Sequence, residues 1–484
     1  MKYLESRDSN AQIGLRADFY LPGKKRMHYL RLLVLFLFSI SFCAASFSNE
    51  NDWRFGKAKA KITPKQFMWM SGYGSRNKPA DGKLTDLWAK VLVLEDTEKN
   101  RAVLITLDLI GVGRSMSTAL CKRLQEEFEF KREQIAICTS HTHTGPALSD
   151  NLMPLHYLVV DRDQQKLIEA YTSQLKESII EAVGKAIESM APAKLKSGTG
   201  KSTFAVNRRN NPEAKVPELR TAGKLVGPTD HDVPVLAVHG ADDSLQAVVF
   251  GYACHATVLS FYKWSGDYPG FAQLSLEKKY PNCQAMFWAG CGADQNPLPR
   301  RKVELAKEYG KRLSESVERV LQSKMRPLGS ALKMSFNEVP LPLAKLPTRK
   351  KIEADSKSKN RFVQARAKFL LSLLEKNGAL EKTYPYPVQT WRIGNQIDWI
   401  FLGGEVVVDF SIRIKSENQS TSTWVAGYAN DVMAYIASRR VLREGGYEGA
   451  TAMVYYGLPA PWALESENII IDEVNRQLKS NSKE

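Results

Sequence analysis

The sequence is poor in cysteine and histidine, and this scarcity limits what kind of protein it can be. Its 484 residues include 6 Cys and 7 His. So few cysteines do not make the array of a disulfide-built scaffold, and no C-x-x-C pair indicates a structural zinc site. There is also no collagen period and no sustained heptad, which excludes fibrous and coiled-coil proteins.

The composition is that of a folded protein with excess positive charge. Hydrophobic residues make up 43% and charged residues 25% of the chain, too apolar a mixture for a disordered protein. The formal net charge is +16. No helix-turn-helix, zinc-finger or RNA-binding signature accompanies this charge, so we expect no nucleic-acid partner. A general attraction to anionic surfaces, with peripheral membrane contact, is the interpretation that remains.

The longest apolar run lies near the N-terminus and is too short for a membrane span, which needs about 20 residues. Residues 32–42 are apolar, basic residues precede them, and small residues follow at 43–46. This order is typical of a secretory signal peptide, here cleaved near Ala45, with Met1 or Met27 as the start. The sequence therefore predicts export to the periplasm or the extracellular space. An uncleaved membrane anchor is the alternative.

Strands and helices alternate through the first two thirds of the chain. Apolar runs predict strands at 88–94, 103–109, 134–138, 233–238, 246–254, 284–288 and 397–402. Apolar residues at three- and four-residue spacing predict helices at 115–128, 164–190, 269–280, 303–323, 362–374 and 469–478. The predicted fold class is α/β: one large layered domain with mixed β-sheets flanked by helices and an active site at strand ends.

The chain is divided into an extension and signal peptide at 1–45, a linker at 46–56 and a catalytic domain at 57–484. Residues 343–361 are basic and form a predicted loop insertion in that domain. Five cysteines remain after the signal, an odd number, and Cys283 and Cys291 are the pair that could form a bridge. Cys138 and Cys254 lie in apolar runs and are expected to be buried small hydrophobes.

A histidine pair, His141 and His143, follows the predicted strand 134–138. In a strand-like H-x-H, both imidazoles project to the same side. One can bind a metal while the other works on the substrate, or both can ligate. Gly145 and Pro146 then end the strand and open a loop, where active sites tend to lie.

Two further predicted strands end in residues that can bind a metal. The strand at 246–254 leads into His255, and the strand at 397–402 leads through two glycines into Glu405. Two histidines and a glutamate are a ligand set of catalytic zinc sites that keep one position open. H-x-H by itself does not name a reaction.

Taken in order, the motifs resemble the catalytic domain of the neutral/alkaline (non-lysosomal) ceramidases over residues 57–460. They are 70–74 (MSGYG), 140–146 (SHTHTGP), 207–208 (NR), 255–257 (HAT), 265–267 (SGD) with Gly270 and Ala272, 404–405 (GE), 428–431 (YAND), Tyr435 and 447–450 (YEGA). The resemblance implies Zn²⁺ as cofactor. The implied ligands are His141, His255, Glu405 and Tyr435.

The same resemblance implies a secreted, zinc-dependent amidohydrolase that cleaves the N-acyl amide bond of ceramide-like lipids to fatty acid and sphingoid base. Zinc-activated water would be the nucleophile. His143 resembles the acid/base or oxyanion-stabilising histidine, and Tyr447 the second active-site tyrosine. Arg208 resembles the active-site arginine, with Arg209 as the alternative register.

The chain departs from the family pattern at two places. Gln295 stands where the family has a serine assigned as nucleophile, and glutamine cannot take that role. We therefore expect Gln295 to bind substrate or the oxyanion. The family's further β-sandwich domain is not expected in the residues after Gly457, so a smaller N-acyl amide or an ester is an alternative substrate. A non-catalytic binding homologue is the other alternative.

Overall fold

The computed structural model describes residues 53–482. The predicted extension and signal peptide at 1–45 lie outside the described residues. So does most of the predicted linker, whose last residues, 53–56, instead begin the first strand. Within residues 53–482, no helix is both long enough and apolar enough to cross a bilayer.

The strands are numbered along the chain. They are β1 (Trp53–Lys61), β2 (Gly82–Lys83), β3 (Trp88–Glu95), β4 (Arg101–Leu107), β5 (Ile135–Thr139), β6 (Ala191–Lys201), β7 (Ala205–Asn207), β8 (Asp232–Gly240), β9 (Leu245–Tyr252), β10 (Lys263–Trp264), β11 (Gln284–Ala289), β12 (Gln295–Pro297), β13 (Arg326–Pro327), β14 (Leu332–Pro342), β15 (Thr383–Ile393), β16 (Ile397–Leu402), β17 (Glu405–Val406), β18 (Ser422–Ala426) and β19 (Tyr435–Ile436).

The helices are α1 (Arg114–Phe128), α2 (Met153–His156), α3 (Arg162–Glu188), α4 (Val216–Thr221), α5 (Asp267–Lys279), α6 (Val303–Leu321), α7 (Arg349–Asp355), α8 (Arg361–Asn377), α9 (Val408–Glu417), α10 (Arg439–Glu444), α11 (Met453–Tyr456) and α12 (Ser466–Ser482). Short 3₁₀ turns cover Arg132–Gln134 and Glu213–Lys215, and a single π-helical turn covers Tyr447–Thr451.

Two mixed sheets form the centre of the fold. The larger has the order β11-β9-β8-β6-β1-β3-β4-β5, with β13 paired to β6. Its β4/β5 and β9/β11 pairs are parallel and the other pairs are antiparallel. The smaller sheet has the order β14-β15-β16-β18, with a parallel β16/β18 pair. Both parallel and antiparallel pairs occur, as predicted.

A tryptophan-rich core lies between the two sheets. It contains Trp53 and Trp288 from the larger sheet and Trp391, Trp399 and Trp424 from the smaller one. Helix α3 covers β1 and β3, and α6 covers β6 and β8. Helices α9 and α12 pack on the smaller sheet. The predicted α/β fold, with layered sheets flanked by helices, is confirmed.

Helix α3 shows why these layers form. Asp161 caps its N-terminus by accepting a hydrogen bond from the backbone N–H of Gln164 at 2.8 Å. Its buried face comprises Ile168, Thr172, Leu175, Ile179, Ile180, Ala182, Val183 and Ala186. This spacing puts one stripe of side chains on the sheet. Truncating a buried residue such as Leu175 to Ala would cost roughly 2–5 kcal/mol.

The segment 426–430, directly after β18, joins the two edge strands of the larger sheet. The backbone N–H of Gly427 donates to Ala289 O at 3.0 Å, and that of Asn430 donates to Ile137 O at 2.7 Å. The strands β5 and β11 approach each other at this seam. The C-terminal ends of β5, β9, β11 and β16 are therefore held close together by main-chain hydrogen bonds.

Two local expectations were wrong. The stretch 343–361 is not a structureless loop, because helix α7 forms within it, capped by the Thr348 side chain on the N–H of Lys351. Cys283 and Cys291 form no bridge; both are buried free thiols. Burial raises the pKa of both thiols. Cys138 and Cys254 are buried, as expected.

Candidate metal centre and active site

Four predicted ligands converge on one buried point beside the seam. His141 follows the end of β5, and His255 follows the end of β9. Glu405 opens β17, directly after β16, and pairs in register with Tyr435 on β19. All four side chains are buried. These residues therefore lie at strand ends, where the sequence predicts the site.

The ligand atoms lie close together. Oε2 of Glu405 is 3.1 Å from Nε2 of His141 and 3.0 Å from Nε2 of His255. The phenol oxygen of Tyr435 is 3.5 Å from Nε2 of His255. Ligands held about 2.0 Å from a tetrahedral ion stand about 3.3 Å apart, so these separations suit a bound cation.

The outer nitrogens of both imidazoles settle their orientation. Nδ1 of His141 donates to Ile110 O at 2.6 Å, and Nδ1 of His255 donates to Gly292 O at 2.7 Å. A carbonyl oxygen can only accept, so each Nδ1 carries a proton, and each Nε2 is the atom turned toward Glu405. Two Nε2 atoms that face one carboxylate oxygen form an arrangement that could hold a metal ion.

The electrostatics of this group suit a bound metal ion. Burial, together with nearby Arg208, lowers the pKa of His255 to about 4, so this imidazole is neutral at physiological pH. Burial alone would raise the pKa of Glu405, but His141 and His255 hold it well below its usual value. A charged carboxylate beside a neutral imidazole suits a divalent cation. His141, His143 and His255 also form a group that could hold a metal ion, with ligand atoms within 4.8 Å of one another.

His143 stands between this group and the solvent-facing cavity. Its Nε2 is 3.2 Å from Nε2 of His141, and its Nδ1 is buried without a hydrogen-bond partner among residues 53–482. Burial lowers its pKa well below the ordinary histidine value, so the ring is neutral. The strand-like H-x-H geometry was wrong, because His141 has a φ of 56° and lies beyond β5. The two imidazoles nevertheless meet.

The residues 70–74 form the wall behind His143. Gly72 has a φ of 102°, and a Cβ placed on it would lie 2.6 Å from the His143 ring. The ring of Tyr73 packs 4.9 Å from that of His143. Arg76 holds the main chain from the other side, through a hydrogen bond from Nη2 to His143 O at 2.8 Å. The first motif of the series therefore shapes the position of the histidine.

The structure resolves which arginine reaches the metal centre. Arg208 donates from Nη2 to the Tyr435 phenol oxygen at 3.2 Å, from Nη1 to Asn296 at 3.3 Å and from Nε to Glu448 at 2.8 Å. Arg209 instead pairs with Glu444 and Glu448. Arg208 is therefore the arginine beside the predicted ligands.

A cavity of about 610 Å³ opens onto this centre. Its wall includes His143, Arg208, Tyr435 and Tyr447. Tyr447 is 44% exposed, and its ring stands edge-on to that of Tyr435 with centroids 5.3 Å apart. Four of the predicted site residues therefore face one space large enough for a substrate.

Gln295 is not brought to the cavity wall. Its side chain is fully buried, donates from Nε2 to Ala253 O at 2.8 Å and accepts from the backbone N–H of Asp230 at 3.3 Å. Its backbone carbonyl accepts from the N–H of His255 at 3.0 Å. Asn296, the next residue, lines the cavity instead. The contacts of Gln295 are those of a residue that supports the His255 loop.

Sequence reasoning missed three residues at this site: Asn296, Glu448 and Tyr456. Glu448 belongs to the YEGA motif and pairs with both Arg208 and Arg209, so the motif itself could have pointed to it. The phenol of Tyr456 donates to Oε1 of Glu405. Nothing in the local sequence singles out Tyr456 from its neighbour Tyr455.

Residues 53–293 match the family model described as "Neutral/alkaline non-lysosomal ceramidase, N-terminal". Over these residues the chain belongs to the neutral/alkaline ceramidase family. The matched part contains His141, His143, Arg208 and His255. Gln295, Glu405, Tyr435 and Tyr447 lie beyond it.

The chain is similar to known ceramidases in sequence and in fold. Neutral ceramidase of Drosophila pseudoobscura pseudoobscura is 24% identical over 238 residues, which cover 48% of this chain and 33% of the relative. The chain thus spans about a third of that relative's length. The crystal structure of neutral ceramidase from Pseudomonas aeruginosa superposes with a TM-score of 0.68 at 18% identity, covering 90% of this chain and 75% of the other.

A second solved structure, described as a ceramidase complexed with C2, is similar to the same degree. Its TM-score is 0.68 at 18% identity, with 88% of this chain and 74% of the other covered. At such identity the likeness shows the shared fold. With 88–90% of this chain covered, the likeness in fold extends beyond the residues that the family model matches.

Proposed function

We propose that this chain is a zinc-dependent hydrolase of N-acyl amide bonds, with ceramide-like lipids as the leading substrate class. The observation that carries the proposal is the pair of histidine Nε2 atoms 3.0 and 3.1 Å from one carboxylate oxygen. Zinc is the metal whose ordinary catalytic ligands are histidine and carboxylate. Membership in the ceramidase family supports the choice of an amide bond.

His141, His255 and Glu405 would hold the zinc, with the phenol of Tyr435 beside them. When bound, zinc would supply Lewis-acid polarisation of the scissile carbonyl and of the attacking water. The neutral His143 can accept a proton from that water and return it to the leaving amine. Partial desolvation and the nearby charge of Glu405 keep the pKa of Tyr447 above its usual value, so its phenol stays protonated and can donate to the developing oxyanion together with Arg208.

A more soluble N-acyl amide is the second candidate substrate. The cavity wall includes charged residues in two ion pairs, Arg209 with Glu448 and Arg300 with Glu213. Such a wall suits a polar substrate group better than a bare hydrocarbon chain. Gln295 stands where the family has its serine, and both ends of its side-chain amide are already hydrogen-bonded to the main chain. This supports water as the nucleophile.

Export and peripheral membrane contact remain proposals from the N-terminal sequence and the net charge. A lipid substrate would be met at a membrane surface, where the charge of +16 favours adsorption to anionic lipid. The pattern in residues 24–46 supports export. Fractionation of cells that express the full chain, compared with a chain lacking residues 1–45, would test this.

The test of the function is zinc content and turnover measured on the same preparation. We expect about one zinc per chain and release of fatty acid from N-acyl sphingosines or from shorter, soluble N-acyl amines. His255→Ala and Glu405→Ala should lose both the metal and the activity. His239→Ala, on β8 away from the cavity, is the matched control and should keep both.

Each failure has a different meaning. A folded wild-type chain without zinc would exclude a zinc enzyme. A zinc-loaded chain that cleaves none of these amides would favour the non-catalytic binding homologue. Turnover of esters alone would show that the chain is an esterase with the same fold.

A further inference from the structure

The second oxygen of Glu405 has a partner that no motif of the family resemblance includes. Oε2 faces His141 and His255, whereas Oε1 accepts the phenol hydrogen of Tyr456. Within residues 53–482, Tyr456 is the hydrogen-bond partner that Oε1 has. The two carboxylate oxygens therefore stand in different environments, one toward the metal-binding point and one away from it.

The position of Tyr456 is fixed by packing. It ends helix α11, where Gly457 takes the left-handed conformation with a φ of 85° and breaks the helix. Helix α11 packs on α2 and α8. The Tyr456 ring stands nearly perpendicular to that of Tyr435, at 84° with centroids 6.2 Å apart. A phenol held from several sides can fix the carboxylate that it contacts.

The ring of Tyr456 borders a second cavity. Tyr456 borders a cavity of about 470 Å³ whose lining is largely apolar and includes Leu152, Leu370, Met433 and Leu458. The catalytic cavity shares none of these lining residues. The hydroxyl therefore points at Glu405 from an apolar wall, where a hydrogen bond to a charged oxygen is strong.

We propose that Tyr456 is a positioning residue that restricts Glu405 to binding zinc through Oε2 alone. The inference rests on the proposed zinc function and adds a residue to it. A free carboxylate can bind a metal through one oxygen or both. With Oε1 held by the phenol, the second oxygen cannot take the position that a water or a substrate carbonyl needs.

The experiment compares Tyr456→Phe with Tyr455→Phe. Both variants remove one phenol oxygen from the same short helix, but the Tyr455 ring packs on Phe362 and Tyr447, and the phenol that donates to Glu405 is that of Tyr456. Zinc affinity is measured without substrate, by competition with a chromogenic chelator. Tyr456→Phe should bind zinc about 10–100-fold more weakly. Tyr455→Phe should match the wild type.

A spectroscopic measurement separates positioning from a loss of packing. In the Co²⁺-substituted protein, release of Oε1 should raise the coordination number and weaken the visible absorption bands in Tyr456→Phe alone. Both metal-free variants should still unfold in one cooperative thermal transition, since Phe keeps the ring.

Unchanged zinc affinity and an unchanged Co²⁺ spectrum in Tyr456→Phe would overturn the positioning role while leaving the zinc enzyme intact. Equal effects in both variants would assign the change to the helix rather than to the phenol, and would also overturn it. A wild-type chain that binds no zinc would overturn the proposed function first.

Discussion

At the scale of single residues, the site depends on side chains that make several directional contacts at once. The guanidinium of Arg208 donates to a phenol, an amide and a carboxylate. Its neighbour Arg209 carries the same charge but reaches only Glu444, Glu448 and the carbonyl of Gly445. Position, rather than charge, distinguishes the two arginines, because only the guanidinium of Arg208 lies where it reaches the phenol of Tyr435.

Arg208→Lys should lower kcat/KM for the N-acyl amide by about 10²-fold, the effect of removing one preorganised donor. The zinc content should not change, since Arg208 is not a ligand. Steady-state kinetics with metal analysis would measure both. Arg209→Lys is the matched control, and we expect a much smaller loss. Equal losses in the two variants would contradict the assignment of Arg208 to the metal centre.

At the scale of elements, strands and helices with a clear period could be predicted, and irregular segments could not. The helix expected at 164–190 is observed as α3 at Arg162–Glu188. It could be predicted because its apolar stripe and its N-terminal cap are features of the local sequence. Helix α7 was missed, since its exposed basic surface looks like that of a loop. Strand β6 was also missed: it contains glycines at 198 and 200 and gains its place from pairing with β8.

Position 72 needs a glycine because of a contact with a distant part of the chain, the ring of His143. Gly72→Ala would strain a backbone at φ 102° and press a methyl group onto the His143 ring. The strain should cost roughly 1–3 kcal/mol, and displacement of His143 should lower kcat by about 10²-fold. Zinc affinity should change little, because His143 is not a predicted ligand.

Kinetics, chelator competition and thermal unfolding on one preparation would check the Gly72 prediction. Gly270→Ala is the control, because a Cβ there meets nothing within 4 Å and the residue lies inside helix α5. An unchanged kcat in Gly72→Ala would show that His143 does not need this wall.

At the scale of the whole molecule, the fold buries several acidic groups that lie at strand ends and in loops around the sheets. Burial raises the pKa of Asp108, Asp267 and Asp294 to about 6, and that of Asp431 to about 7. Asp108 accepts from the backbone N–H of Trp88 at 3.0 Å and lies near Lys90 and Glu277. Each of these carboxyls holds a proton more tightly in the folded chain than in the unfolded one.

The sign of the resulting pH dependence follows from this difference. Below its unfolded pKa of 3.8, Asp108 is protonated in both states and its raised folded pKa contributes fully to the free energy of unfolding. That contribution is lost as the pH rises to about 6. Asp108→Asn keeps an uncharged side chain of the same shape at every pH. Its stability relative to the wild type should therefore increase between pH 4 and pH 6.

Urea denaturation at several pH values, with chelator present to exclude metal binding, would measure the effect. Asp163→Asn, at an exposed side chain of α3, controls for the loss of a surface carboxylate. A flat difference between Asp108→Asn and the wild type across this range would show that Asp108 is ionised in the folded chain.

The sequence by itself determined the kinds of residue at the site and the elements that precede them. Rare histidines at the ends of apolar strands, and a glutamate after two glycines, are local patterns, and they identified His141, His255 and Glu405. The period of apolar residues fixed the α/β layers. These properties are local because side-chain alternation and helical spacing act over a few residues.

Only the tertiary structure decided how those residues meet. The curled sheet and the segment 426–430 bring His141, His255 and Glu405 to one point, although 150 residues separate His255 from Glu405. The same packing brings Tyr456 to Glu405 and Arg208 to Tyr435, pairs Arg209 with Glu444 and Glu448, and places Gln295 beside the His255 loop. Contacts between distant segments depend on how the layers pack, so they cannot be predicted from the local spacing of apolar residues.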